Sequence, residues 1–237
     1  MSRVAAVVCE GCTDFPILEG IILELWPEVD RVLPLQPPLD ELGRPTSIRR
    51  GWSAVKTWCE SNAENLHQLL SSDFGDPIDL LVVALDVDIA IQAEIINPPR
   101  QGLTPYVAKR LCNTVKGWLT TTDRRLPAEL VIVLPAMAIE AWIIAAVIAK
   151  CERPENLAAP AMYLAEHGEL ELIARQPAGD STRSTRQRPH KDLSRYRGRF
   201  RSTVTRSLGK VRKKCVEAER FCNKVEQRRA RTRPSSA

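Results

Sequence analysis

No apolar run in this sequence approaches the roughly 20 residues a helix needs to cross a bilayer. The strongest apolar helix pattern, MAIEAWIIAAVIAK, is too short and carries Glu140. No basic region leads into an apolar stretch and a small-residue cleavage site at the start, where VAAVV is too short for one. Both absences point away from the membrane and towards a cytoplasmic location. Seven cysteines, odd in number and irregular in spacing, fit free thiols in a reducing compartment. Cys9 and Cys12 form a C-x-x-C, but no second pair follows and His67, His167 and His190 stand far apart. A structural zinc site is therefore disfavoured. A thioredoxin-like redox role is disfavoured too, because that pair opens a helix after a different strand context. There is no G-x-x-x-x-G-K-S/T loop, so any ATP dependence must come from another protein. No internal repeat is visible.

What is present is a chain of 237 residues, 44% apolar, long enough for a sizeable core. Its net charge of +5 conceals an asymmetry. From Asp180 onward there are 19 Lys and Arg against 5 Asp and Glu, a surplus of 14. The first 179 residues hold 15 basic and 24 acidic ones, a deficit of 9. The expected organisation is an α/β core over residues 1–150 and a helical, Arg/Lys-rich C-terminal extension over 151–237.

Apolar period supplies the elements. RVAAVVC reads as a buried strand, and Asp14 to Leu25 as a helix with Phe15, Leu18, Ile21, Ile22 and Leu25 on one face. DRVLPLQP is a second strand. A Pro/Gly-rich loop leads to one helix over Trp52 to Leu70. IDLLVVALDVD is nearly continuous in apolar character, as a parallel strand covered on both faces should be. An irregular stretch through NPPRQGLTP precedes a helix over Tyr106 to Leu119, the strand ELVIVLP and the apolar helix that follows it. Strands alternating with such helices predict an α/β fold with a mostly parallel sheet. Further on, RQPAGDSTRSTRQRPHK reads as a polar, mobile linker. Residues 202–230 read as one basic amphipathic helix, with Val204, Leu208, Val211, Cys215, Ala218, Phe221 or Cys222, and Val225 on its apolar side.

The chemistry lies in acids placed where strands end. In open parallel sheets ligands gather at the carboxyl edge. Glu10 closes the first strand, and Asp86 and Asp88 close LLVVALDVD. Strand side chains alternate, so the two aspartates share one side, about 7 Å apart. If these strands are neighbours, three carboxylates converge. Two such charges at ~4 Å repel by about 4 kcal/mol at an effective dielectric near 20. A divalent cation resolves the conflict, and an all-oxygen ligand set selects Mg2+ or Mn2+ over zinc. Read as an ordinary feature, Glu10 is the acid of a strand-to-helix turn, complementing the helix dipole. Asp14 and Glu140 are additional acids, each of which can equally well serve its own helix N-terminus.

VVCEGCTD followed by LVVALDVD resembles the Toprim domain, whose hallmark is a glutamate-glycine after one strand and an Asp-x-Asp after a later one. The phrase EGCTDFPILEGII is similar to the small nuclease-like branch of that family, and LPAMAIEAW to a segment of small Toprim-like proteins. The resemblance covers roughly residues 3 to 149. It implies a Toprim-like sheet and Mg2+ or Mn2+ held by Glu10, Asp86 and Asp88; Glu140, opening the helix after the fourth strand, is added by position as a further catalytic candidate. The resemblance also implies phosphodiester hydrolysis, with a role in defence against phage or foreign nucleic acid alongside an ATPase or other defence-system protein. The chain departs from the pattern in a long Glu10-to-Asp86 interval, with an added segment around LQPPLDELGRPTSIRRGW. The lysine common in these nucleases is fixed by no motif here, leaving Lys109 and Lys191 as candidates by position. A topoisomerase is excluded, since the chain is too short for a strand gate and has no tyrosine in a recognisable setting.

The basic tract interleaves Lys191, Arg195, Arg197, Arg199 and Arg201 with Tyr196 and Phe200. Guanidiniums neutralise phosphates and rings stack on unpaired bases, so DNA or RNA is the expected partner, the alternatives being a solvated basic surface or a tail that neutralises the acidic core of its own or a neighbouring chain. The alternative to a nuclease is a Toprim-like module that binds nucleic acid or a protein without cutting. The five tryptophans fall at helix positions that suit core packing.

Overall fold

The computed structural model describes residues 2–40, 44, 46, 51–71, 75–88, 105–121, 125–173 and 187–232. The irregular stretch before Pro105 and the linker residues 174–186 lie outside them. The last residues of the expected linker do not: Arg188–His190 form a strand.

Four parallel strands make the sheet: β1 (Val4–Val8), β2 (Arg31–Gln36), β3 (Ile78–Ala84) and β4 (Leu130–Val133), in the order β2-β1-β3-β4. The fold is thus α/β with helices on both faces. Every residue of β1 is buried, as a central parallel strand requires. Alternation divides its neighbours between two layers. Ala5, Val7, Cys9, Leu80, Val82 and Ala84 meet one set of helices, and Val4, Ala6, Val8, Leu81 and Val83 meet the other.

The second layer contains α2 (Trp52–Asn62), α3 (Leu66–Leu70) and α4 (Pro105–Trp118). The single helix expected over Trp52 to Leu70 is broken between α2 and α3. Asn62 turns its side-chain amide onto the Trp58 carbonyl at 2.8 Å, and its own carbonyl accepts the Asn65 N–H at 3.2 Å. An asparagine bonding back to the backbone in this way competes with helix propagation.

The first layer contains α1 (Asp14–Leu25), α5 (Glu140–Val147) and α6 (Pro160–Glu166). Beyond a two-stranded antiparallel sheet of β5 (Glu171–Ile173) and β6 (Arg188–His190) come α7 (Leu193–Arg195), a π-helical turn over Tyr196–Phe200, α8 (Arg201–Arg206), α9 (Leu208–Lys214) and α10 (Val216–Thr232). The expected single helix over 202–230 therefore breaks at Ser207 and Cys215. Glu155 explains the second break. Its carboxylate accepts the N–H groups of Val216 and Glu217 at 2.7 and 3.1 Å, capping α10 where its first amides lack helical partners.

The apolar stripe of this region is buried along its length, from Val204 through Val211 and Cys215 to Val225. It enters the same hydrophobic core as β1, β3 and α1, so the core does not divide at residue 150. Trp142 of α5 stacks on Phe221 of α10 with ring centroids 6.0 Å apart. Gly20 lets α8 approach α1, since a Cβ there would meet Arg201 Cγ at 2.8 Å. Each large apolar side chain buried in this way contributes about 1.5–3 kcal/mol.

Candidate functional site

β1 and β3 are adjacent and parallel, so their carboxyl ends open on one rim. This lies where the strand order reverses, with β2 on one side of the pair and β4 on the other. Glu10 reaches across it: its Oε1 accepts the Asp86 N–H at 2.8 Å. The chain beyond β3 stays extended. Leu85 and Val87 donate their N–H groups to Val133 and Pro135 at 3.0 and 3.1 Å and bury their side chains in the second layer. The Asp86 N–H points the other way, to Glu10. Asp-x-Asp thus lies just past the strand rather than within it, with Asp88 in the following turn.

Two helix starts bring further acids to this rim. Asp14 opens α1, and its Oδ2 accepts the Gly11 N–H at 2.9 Å. Glu140 opens α5 after a turn that holds Met137 at φ 64°, a left-handed conformation uncommon outside glycine. Glu140 is 0% exposed. Its Oε1 accepts from Tyr196 Oη at 2.7 Å and from Lys191 Nζ at 2.6 Å, while Oε2 has no hydrogen-bond partner among the described residues.

These groups perturb one another strongly. Burial pushes Glu10 up to about 8, against the opposing Asp86 N–H, with the Asp14 and Asp88 charges adding to the rise. Burial likewise raises Asp14 to about 6, with Lys191 opposing and Glu140 adding. Asp86 is held well above the ordinary carboxylate range by burial and then by Asp14, Glu10, Glu140 and Asp88. Burial works against the Lys191 ammonium, but Glu140, Asp14 and Asp86 outweigh it and raise its pKa. Its side chain remains 39% exposed, so the stem meets solvent while the charged tip sits among acids. The rim shares too few positive charges among too many negative ones.

Asp86 thus lies within electrostatic range of Glu10, Asp14, Asp88 and Glu140, and Glu10 within range of Asp14 and Asp88. Lys191, read above as a phosphate contact, is in this cluster. Lys109 is exposed on α4, in the opposite layer. Among the described residues no group of three or more His, Cys, Asp or Glu is arranged so that it could hold a metal ion. The donors still fit a hard divalent cation by type, being carboxylates throughout, and the orphaned Oε2 of Glu140 is a buried oxygen that a cation would satisfy.

Arg195, Arg199 and Arg201 pair with the chain's own acids. Arg195 bonds the Glu169 carbonyl at 3.0 Å and Glu171 at 3.1 Å, Arg199 pairs with Glu169 at 2.9 Å, and Arg201 with Glu19 at 2.8 Å. Arg197 and Arg201 line a cavity of about 470 Å3 with Phe15 and Glu19. The expectation that Tyr196 and Phe200 stack on bases is overturned, because both rings are 0% exposed and meet edge-on at 5.3 Å. Their spacing puts them, with Val204, on the buried side of a helical turn. The Tyr196–Glu140 bond escaped sequence reasoning. Its one legible trace was an acid opening an otherwise apolar helix. All seven cysteines are free, and burial, followed by the Asp14 charge, raises the Cys9 thiol well above its ordinary value.

No family model matches the chain, and no curated protein or solved structure matches it either. No described helix is long and apolar enough to cross a membrane.

Proposed function

We propose that the chain is a Mg2+- or Mn2+-dependent phosphodiesterase of the Toprim type that cleaves nucleic acid. The observation that carries this reading is Glu10 Oε1 against the Asp86 N–H at 2.8 Å, which joins the two strand-end acid motifs at one rim. Glu10, Asp86 and Asp88 would hold the ion, and Glu140 lies close enough in the charge network to join them. When bound, the ion supplies charge for a phosphate oxygen, an acidified water and relief for the leaving oxygen. The remaining chemistry belongs to the chain. Oε1 of Glu10 is fixed by the Asp86 N–H, which leaves Oε2 as the oxygen it would offer the ion. Lys191 supplies positive charge at the rim, where a phosphodiester would enter. Arg195, Arg197, Arg199 and Arg201 are the residues assigned to the substrate backbone. The exposed Arg195–Glu171 pair is worth about 0–1 kcal/mol, so a phosphate can replace that acid at little cost. Action in the cytoplasm against phage or other foreign nucleic acid, with an ATPase-bearing partner, is what the Toprim resemblance adds.

One observation favours the non-cutting module instead: Lys191 already neutralises Glu140 at 2.6 Å, as a structural pair would. Incubation with single- and double-stranded DNA and RNA plus Mn2+ separates the readings. Cleavage by the wild type and none by Asp86→Ala supports the enzyme. Cleavage by both points to a contaminant or another site, and binding by both with cleavage by neither supports the module.

A further inference from the structure

Two buried glutamates in the first layer are used in opposite ways. Glu155 spends both oxygens inside the fold. Oε1 accepts from Trp142 Nε1 and the Glu217 N–H at 3.3 and 3.1 Å, and Oε2 from the Val216 N–H at 2.7 Å. Glu140, more deeply buried, has two donors crowded on Oε1, and Oε2 has no partner among the described residues. A carboxylate serving only packing gains by satisfying both oxygens, because a buried unpaired acceptor costs about 1–3 kcal/mol. The asymmetry at Glu140 keeps one oxygen available within electrostatic range of Asp14 and Asp86.

Tyr196 makes this arrangement rigid. Its ring is wholly buried against Phe200, in a π-helical turn continuous with α8, so its hydroxyl has little freedom to leave Oε1. Lys191 is the more exposed partner, with 39% of its side chain open to solvent. We infer that Tyr196 is a positioning residue: it locks Oε1 of Glu140 so that Oε2 is held ready as a ligand for the divalent ion, which makes the C-terminal segment an integral part of the metal site. This rests on the metal reading proposed above. It assigns the tyrosine hydroxyl a role in ion affinity rather than in packing or in contacts to bases. Partners that orient a ligand in this way typically change metal affinity 10–100-fold when removed.

The test is titration of the full chain with Mn2+, following unbound Mn2+ by electron paramagnetic resonance, beside thermal melting in chelator. Tyr196→Phe removes one oxygen and keeps the ring, and Glu140→Gln keeps the shape of the ligand and removes its charge. The inference expects Tyr196→Phe to bind Mn2+ about tenfold more weakly than the wild type, and Glu140→Gln to weaken at least as much. Neither variant should lose its cooperative melt in chelator. Wild-type Mn2+ affinity in a folded Tyr196→Phe protein overturns the inference and leaves the metal reading standing. Absence of Mn2+ binding by the folded wild type overturns both. Should Tyr196→Phe fail to fold, Glu140→Gln decides: unchanged affinity there overturns the inference, and a loss of tenfold or more supports it.

Discussion

The turn between α9 and α10 and the rim above β1 and β3 are both rich in carboxylates, and they balance charge differently. At the turn, Arg212 meets Glu219, Glu226 and Asn223, and Glu155 caps the helix with both oxygens engaged. At the rim, Asp86 faces Glu10, Asp14, Asp88 and Glu140, with Lys191 as a cation set against them. Acids that stabilise this fold come with their partners. Acids that face an excess of their own kind need a cation, and that difference separates the site from the scaffold.

Four experiments would break or sharpen the contrast. Asp86→Ala should have the largest effect, weakening Mn2+ binding by about 100-fold, the upper end for groups that support a metal site. Calorimetry checks it, and an undiminished heat would move the ion elsewhere. The pH response comes next. Glu10 and Asp14 titrate in the fold near 8 and 6, above their ordinary 4.5 and 3.8, so the fold binds their protons more tightly than the unfolded chain does. Their stabilising contribution is complete below the ordinary values and is lost as pH rises through about 6 and then 8. In chelator the melting temperature should therefore fall between pH 5 and pH 9, and Mn2+ should reverse the fall. Third, Glu155→Ala should cost about 3 kcal/mol, by leaving Trp142 and two helix amides unpaired. Urea unfolding reads that loss, while Mn2+ affinity stays unchanged. Smallest is Arg212→Ala, whose partly exposed pairs make it worth about 1 kcal/mol or less by the same unfolding measurement.

The sequence made one half of this contrast legible. Apolar period bounded α1 at Asp14 and Leu25 and found the buried stripe from Val204 to Val225, because packing against a core imposes a repeat the residues cannot hide. The meeting of Glu10 with Asp86 was legible as well, since parallel neighbours bring their ends to one rim. The breaks at Asn62 and Cys215 were not. Each depends on one side chain that bonds to the backbone, one of them Glu155 from 61 residues away. Tyr196 was assigned to solvent for a related reason. Alternation of arginine with aromatics looks alike on a wet surface and on a helix with one buried face, and only the partner across 56 residues tells them apart.

The closure of the chain on itself has a consequence for its birth. Arg3, just ahead of β1, donates to the Thr232 carbonyl at 3.0 Å, and Arg229 bonds the Leu25 carbonyl and Glu28 at 3.0 and 2.6 Å. β1 leaves the ribosome well before α10, which clasps it. Until α10 emerges, the apolar face of β3 and β4 that it covers must wait bare, and contacts of such long sequence separation form slowly. Chaperone demand during synthesis should therefore be high, and a nascent chain stalled before α10 should be captured in aggregates more readily than one that includes α10.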